Sequence, residues 1–167
     1  MTALPADFLP RLQLICPPDL WDSTLASFSM AKQTAFRLNG LGLTGEGVER
    51  TESVEKSGKS SKESEQVVSE LKALGVTVHP VDWCQPYGID VYQVCAEHRE
   101  RLTHSAAASD GRLYIQSLSS MLAPLLLSPK PTEWVLDLAA APGGKTILLA
   151  ELMRNEGKIS AVEPVKS

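Results

Sequence analysis

The residues best placed to do chemistry sit in one run near the carboxyl end. Asp137, Lys145, Thr146 and Glu163 bring two carboxylates, an amine and a hydroxyl to the surroundings of the small-residue turn Ala139-Ala140-Ala141-Pro142-Gly143-Gly144. A short, mostly apolar strand (residues 134–138) leads into the turn, and an apolar helix (147–153) leads out of it. A strand, a tight turn and a helix N-terminus make a site for an anionic or polar ligand, because free N–H groups and the positive end of the helix dipole point into the turn. Alanine and glycine there let the backbone come close to that ligand.

Two ligands compete for this turn. Ala139 followed at the right distance by Gly144-Lys145-Thr146 satisfies a loose phosphate-loop pattern, in which Lys145 touches phosphates and Thr146 a magnesium ion. Alanine in place of the first glycine weakens that reading. So does Pro142, which removes an N–H from a loop that works by donating them. The other ligand is S-adenosylmethionine, in a doubly wound site that needs an acid at the tip of the next strand to accept from the ribose hydroxyls. Residues 157–162 read as that strand, and Glu163 stands at its end, about 20 residues after the turn. Asp137 accepts from turn N–H groups or reaches the ligand's amino group. This second reading is preferred.

The elements that must position these groups follow from hydrophobic periodicity. Residues 4–33 read as two helical pieces split by Pro17-Pro18, with Asp19 capping the second and Trp21, Leu25 and Phe28 as core residues. Residues 34–39 alternate as a strand, 66–74 form an amphipathic helix closed by Gly75, and 76–83 alternate as a second strand. Between them, residues 44–64 are rich in Gly, Ser, Lys and Glu and read as a flexible insertion. Residues 95–102 are a short polar segment and 105–110 a loop. Residues 111–116 are a strand, and Ser117 or Ser119 caps an apolar helix that ends at Pro129 and Pro131.

The totals set bounds. One or two small domains fit into 167 residues, and 43% hydrophobic content supports an ordinary core. A net charge of −4 gives no basic footprint for nucleic acid. Arg99, Arg101 and Arg112 form the densest basic group near the turn, read as surface charge neutralised by Glu97 and Glu100. Cys16, Cys84 and Cys95 are far apart and in no metal-ligand spacing, which fits reduced thiols of a cytoplasmic protein. His79 has no second ligand nearby, so no metal is expected. No signal peptide or membrane span is read, and a monomer is expected.

At these residues the sequence resembles the Sun-type RNA cytosine-5 methyltransferases, and within them the bacterial small-subunit rRNA methyltransferase F type. The resemblance is carried by Arg37-Leu38-Asn39, by Pro80 to Cys84, by residues 111–116 with Ser119 to Leu122, and above all by residues 135–146 with Asn155 to Gly157 and Ala161 to Glu163. It implies S-adenosylmethionine held by Ala139, Ala140, Ala141, Pro142, Gly143, Gly144, Lys145 and Glu163. It also implies RNA as the partner, rRNA ahead of tRNA. The chemistry it implies is addition of a cysteine thiolate to cytosine C6, attack of C5 on the cofactor methyl, and removal of the C5 proton to release the enzyme.

The resemblance also implies a division of the chain. Residues 1–33 would be N-terminal helices and 34–104 an RRM-like α+β module. Residues 105–167 would be the first part of a Rossmann-like, doubly wound α/β methyltransferase domain, truncated after its second strand. None of Cys16, Cys84 and Cys95 stands in a Pro-Cys or Thr-Cys context, so the nucleophile is expected beyond Ser167, and the chain alone is expected to be inactive. Apolar residues of a lone two-strand piece (Val135, Leu136, Leu138, Ile147, Leu149, Leu152) are expected to be exposed. A non-catalytic RNA-binding fragment and a phosphate-loop nucleotide-binding protein remain the alternatives.

Overall fold

The computed structural model describes residues 5–43 and 62–164. Contacts divide the chain after Lys32. The first unit holds α1 (Phe8–Ile15), a 3-10 turn at Pro18–Leu20 and α2 (Trp21–Ser27). The break at the two prolines is where the sequence places it. Asp19, however, lies inside the 3-10 turn and makes no cap; α2 starts from Leu20 without a side-chain cap. None of the residues in these three elements is buried, so the expected core role of Trp21 and Leu25 does not hold. Phe8 and Phe28 instead meet edge to face at 5.4 Å, with Phe28 still 47% exposed.

The second unit contains two sheets. The first is built from β1 (Thr34–Leu38), β2 (His79–Pro80), β3 (Val91–Val94) and β4 (Leu113–Ile115), in the order β2-β3-β1-β4 with each adjacent pair antiparallel. A short helix, α3 (Gly40–Leu43), follows β1, and α4 (Lys62–Ala73) connects onward to β2. Between β3 and β4 lie a 3-10 turn at Ala96–His98, α5 (Arg99–Thr103) and α6 (Ala106–Ser109). Setting aside α3, the succession is β-α-β-β-α-β, a split βαβ arrangement.

Several boundaries differ from the sequence reading. Most of the stretch read as an insertion, 44–64, lies outside the described residues, but 62–64 form the first turn of α4 with Ser64 buried. The strand expected over 76–83 shrinks to His79–Pro80: Pro80 donates no backbone hydrogen bond, and Asp82–Tyr87 coils into a 3-10 helix. The sequence reading missed β3 altogether, although Val91-Tyr92-Gln93-Val94 after Gly88 has strand composition. Residues 105–110, read as a loop, hold α6, capped by the Ser105 hydroxyl accepting from the Ala108 N–H at 3.2 Å.

Alternation puts the side chains of β1 on two faces. Phe36 and Leu38 pack with Val67 and Leu71 of α4, Leu102 of α5 and Leu113 of β4. Arg37 points the other way, beside Val91 and Tyr114 in register. That second face is covered by α7 (Leu118–Leu127) and α8 (Gly144–Leu152), whose Met121, Leu125 and Leu148 cluster with Val91, Val81, Ile89 and Cys84. Every residue of β1 is therefore buried. β4, which the sequence division assigns to the second part of the chain, is hydrogen-bonded to β1 of the first.

The second sheet is the pair β5 (Trp134–Asp137) and β6 (Lys158–Ala161), parallel and joined through α8 as a βαβ unit. α8 covers one face, burying Val135, Leu149 and Met153 against Ile159. The other face leaves Trp134 80%, Leu136 60% and Leu138 68% exposed. The expected exposure thus holds for Leu136 and Leu138 and fails for Val135 and Leu149, because one helix suffices to cover alternate residues of a strand.

Candidate cofactor site

The turn between β5 and α8 is shaped by Asp137. Asp137 is 8% exposed, and its carboxylate accepts from the Ala139 N–H at 3.0 Å and from the Thr146 hydroxyl at 2.6 Å. One acid thereby ties the end of the strand to the first turn of the helix. The Thr146 hydroxyl donates its proton to this bond. Gly143 caps α8 at φ 104°, a conformation that glycine alone adopts without cost. The Ala141–Pro142 peptide bond is cis.

Glu163 arrives from β6. The Val162 N–H donates to the Asp137 carbonyl at 2.8 Å, which carries the strand pairing one step further, and the Glu163 carboxylate accepts from the Ala141 N–H at 3.0 Å. The structure thus brings Ala139, Ala140, Ala141, Pro142, Gly143, Gly144, Lys145 and Glu163 around one turn. Ala139, Ala141, Pro142 and Glu163 are exposed; Lys145 sits in the first turn of α8. A small, open backbone floor with an acid at its rim suits a ligand that carries both N–H-accepting and hydroxyl groups.

The other side of the turn rests on the first sheet. A Cβ added at Gly144 would lie 3.2 Å from a Tyr114 ring carbon and 3.4 Å from the Gln116 amide carbon. Gln116 is itself held by Arg37, whose Nε donates to its Oε1 at 3.2 Å. Arg37 is wholly buried, pairs with Glu151 of α8, and lies 5.3 Å from the centre of the Tyr114 ring. Burial pulls its guanidinium below the ordinary value, against the opposing influence of Glu151 and Tyr114. Glu151 also accepts from the Gly40 N–H at 2.6 Å. Sequence reasoning quoted Arg37 for its resemblance alone and missed Glu151 entirely. A carboxylate on an otherwise apolar helix face (Leu148, Leu149, Leu152) is the signal that pointed to it.

Residues 124–167 match the family described as 16S rRNA methyltransferase RsmB/F. Over 95 residues the chain is 39% identical to ribosomal RNA small subunit methyltransferase F of Shewanella oneidensis, a match covering 56% of this chain and 19% of that protein. Over 97 residues it is 36% identical to the tRNA (cytosine(49)-C(5))-methyltransferase of Pyrococcus abyssi, covering 56% of this chain and 30% of that protein. The crystal structure of PH0851 superposes with a TM-score of 0.72 at 30% identity, over 97% of this chain and 31% of that one. The chain is similar to the Sun-type RNA methyltransferases. It spans about a fifth to a third of the length of these relatives.

Cys84 is buried, and desolvation pushes its thiol up to about 11, which suits a packing role and not a nucleophile. Cys16 and Cys95 are half-buried free thiols. Of the three arginines, Arg112 is neutralised as expected but by other partners: it meets Glu70 at 2.8 Å and Asp110 at 3.4 Å, not Glu97 or Glu100. The bonds between Glu70 and Arg112 lower the former's pKa and raise the latter's. Arg101 reaches the Gly75 carbonyl at 3.4 Å. His79 is exposed, and among the described residues no three His, Cys, Asp or Glu side chains converge as metal ligands. No helix of the described residues is long and apolar enough to cross a membrane.

Proposed function

We propose that this chain supplies one side of the S-adenosylmethionine site and the adjoining module of an RNA cytosine-5 methyltransferase, a cytoplasmic protein acting as a monomer on rRNA. The observation that carries the proposal is the convergence of Glu163 and the Asp137-braced turn Ala139–Lys145, made by the βαβ unit alone. Ala139 to Lys145 would hold the methionine end and Glu163 the ribose. When bound, the cofactor supplies an electrophilic methyl group. Asp137 keeps the turn N–H groups in place, and Gly144 allows the turn to lie against Tyr114 and Gln116.

The names of the relatives support the RNA substrate: one is a small-subunit rRNA methyltransferase and another a tRNA cytosine-5 methyltransferase. The β-α-β-β-α-β module is read as RRM-like on its strand order. It differs in use from the RRM that stacks bases on its sheet, because α4, α5 and α6 occupy one face here and α7 and α8 the other. Bases would meet its edges and loops. A free-standing RNA-binding role loses its usual surface for the same reason. Cys84 is no nucleophile on this reading, and the reaction's thiol is not assigned to Cys16 or Cys95.

Isothermal titration of the chain with S-adenosylmethionine and with ATP tests the proposal. The expected result is saturable binding of the former, weakened on the order of 1–3 kcal/mol by Glu163→Ala through loss of the ribose partner. Binding of ATP in its place, dependent on Lys145, would overturn it. An unchanged affinity in Glu163→Ala would remove that residue from the site.

A further inference from the structure

One buried side chain of the first sheet reaches both ends of the helix that follows the cofactor turn. Arg37 stands in β1, wholly buried, and its guanidinium is a planar fork whose N–H groups point in different directions. One arm, Nη1, pairs with the Glu151 carboxylate in the last turn of α8. Another, Nε, donates to the Gln116 Oε1 at 3.2 Å. The Gln116 side chain is one of two against which the first residue of α8 rests. A Cβ built on Gly144 would stand 3.4 Å from its amide carbon and 3.2 Å from a ring carbon of Tyr114. Tyr114 is itself the cross-strand neighbour of Arg37, whose guanidinium lies 5.3 Å from the ring centre. Gly144 and Glu151 are about 10 Å apart along the helix axis. One cation grips the far end of α8 directly and supports the near end through two side chains.

The Glu151 carboxylate is fixed at both oxygens. Oε2 faces Arg37, and Oε1 accepts from the Gly40 N–H at 2.6 Å. A Cβ built on Gly40 would come within 3.0 Å of that same oxygen. A carboxylate pinned at both oxygens cannot swing, so it holds α8 in rotation about its axis as well as in position along it. Stability alone gives little reason for this arrangement. Arg37 Nη2 has no partner, and a well-packed apolar pair in place of a buried ion pair is often as stable or more so. The ion pair supplies what an apolar pair lacks, which is directed contact at two separate points.

We propose that Arg37 is a positioning residue for cofactor binding: its fork sets where the first N–H groups of α8 stand in the cofactor turn. The proposal rests on the methyltransferase reading for the identity of the ligand. It gives a residue of the antiparallel sheet, distant in sequence, control over a turn built by the βαβ unit. Lysine cannot replace it, because a single ammonium keeps the charge and the pairing with Glu151 but is a point donor without the fork.

The test compares the 167-residue chain with Arg37→Lys and with the double variant Arg37→Met with Glu151→Leu, which removes both buried charges. Three quantities are read: S-adenosylmethionine affinity by isothermal titration, the urea midpoint, and amide hydrogen exchange by nuclear magnetic resonance. Both variants are expected to weaken S-adenosylmethionine about tenfold, within the coupling range of residues that share a network. The double variant should do so with its urea midpoint close to wild type, a split that a merely structural role would not produce. The Ile147 N–H, which donates to the Gly143 carbonyl at 2.9 Å, should exchange about tenfold faster, since exchange reports local opening. The Val162 N–H, which donates to the Asp137 carbonyl in the β5–β6 pair, should change by less than about twofold. Should the double variant fail to fold, Arg37→Lys carries the same test, and unfolding of both variants would overturn the proposal. So would unchanged affinity in a chain that binds S-adenosylmethionine, unchanged exchange at Ile147, or an equal rise at Val162. The expected exchange pattern in a wild-type chain that binds no S-adenosylmethionine would leave the positioning of α8 standing and remove the methyltransferase reading.

Discussion

Replacing Glu151 by leucine puts the link between the two sheets to a quantitative test. In the native chain Arg37 is wholly inside the protein, with Glu151 as its counter-ion, the Gln116 Oε1 as a neutral acceptor and the Tyr114 ring 5.3 Å away. Its Nη2 already lacks a partner. With the carboxylate gone, a guanidinium that stays charged at any accessible pH remains in the interior against neutral groups only. Breaking a buried pair from one side costs about 3–5 kcal/mol. That is a large share of the roughly 5–15 kcal/mol that holds a typical domain together. With a urea slope of about 2 kcal/mol per molar, the unfolding midpoint should fall by about 1.5–2.5 M. The double variant Arg37→Met with Glu151→Leu removes both charges and fills the space, and should regain most of the loss, since apolar replacement of a buried pair is often neutral or better. Urea unfolding followed by far-ultraviolet circular dichroism reads both. A loss below about 1 kcal/mol in Glu151→Leu, or a double variant no more stable than the worse single one, would refute the reasoning.

Three further outcomes are expected. Gly157→Ala should lower the unfolding midpoint more than an ordinary surface change: its φ is +81°, and the added Cβ would stand 2.5 Å from the Pro131 carbonyl oxygen and 2.6 Å from that of Glu133, both backbone atoms that cannot turn aside. A midpoint within about 0.2 M urea of wild type would contradict this. Cys84 ionises near 11 in the fold against an ordinary 9.0, so the folded chain keeps a proton that the unfolded chain has lost. Stability should therefore decline as pH rises from about 9 toward 11, and Cys84→Ala should flatten that decline. At pH 8 a thiol reagent should modify Cys16 and Cys95 and reach Cys84 only after denaturant is added.

What could be read from the sequence was what is local. Asp137, the turn to Lys145 and Glu163 lie within one strand-turn-helix-strand run, so their meeting needs only short-range geometry, and the structure assembles them as that run dictates. The Arg37–Glu151 pair joins positions 114 apart, and the Arg37–Gln116 bond joins positions 79 apart. No periodicity announces such partners. β3 was missed because the alternation upstream looked stronger, and Pro80 then cut that strand short. Trp21 and Leu25 of α2 were misjudged for a different reason: helical spacing shows that a stripe exists, not that something covers it.

The central position of β1 has a consequence for the order in which the chain can fold. Its two neighbours, β3 and β4, follow it by more than fifty residues, so β1 leaves the ribosome long before either exists to pair with it. Closing the sheet must await Ile115, and covering its second face must await Leu148. Distant pairings of this kind slow folding and leave an apolar strand unprotected during synthesis. Phe36 and Leu38 are thus obligations incurred at the start of translation and discharged near its end, an interval in which a chaperone has a segment of β1 to hold.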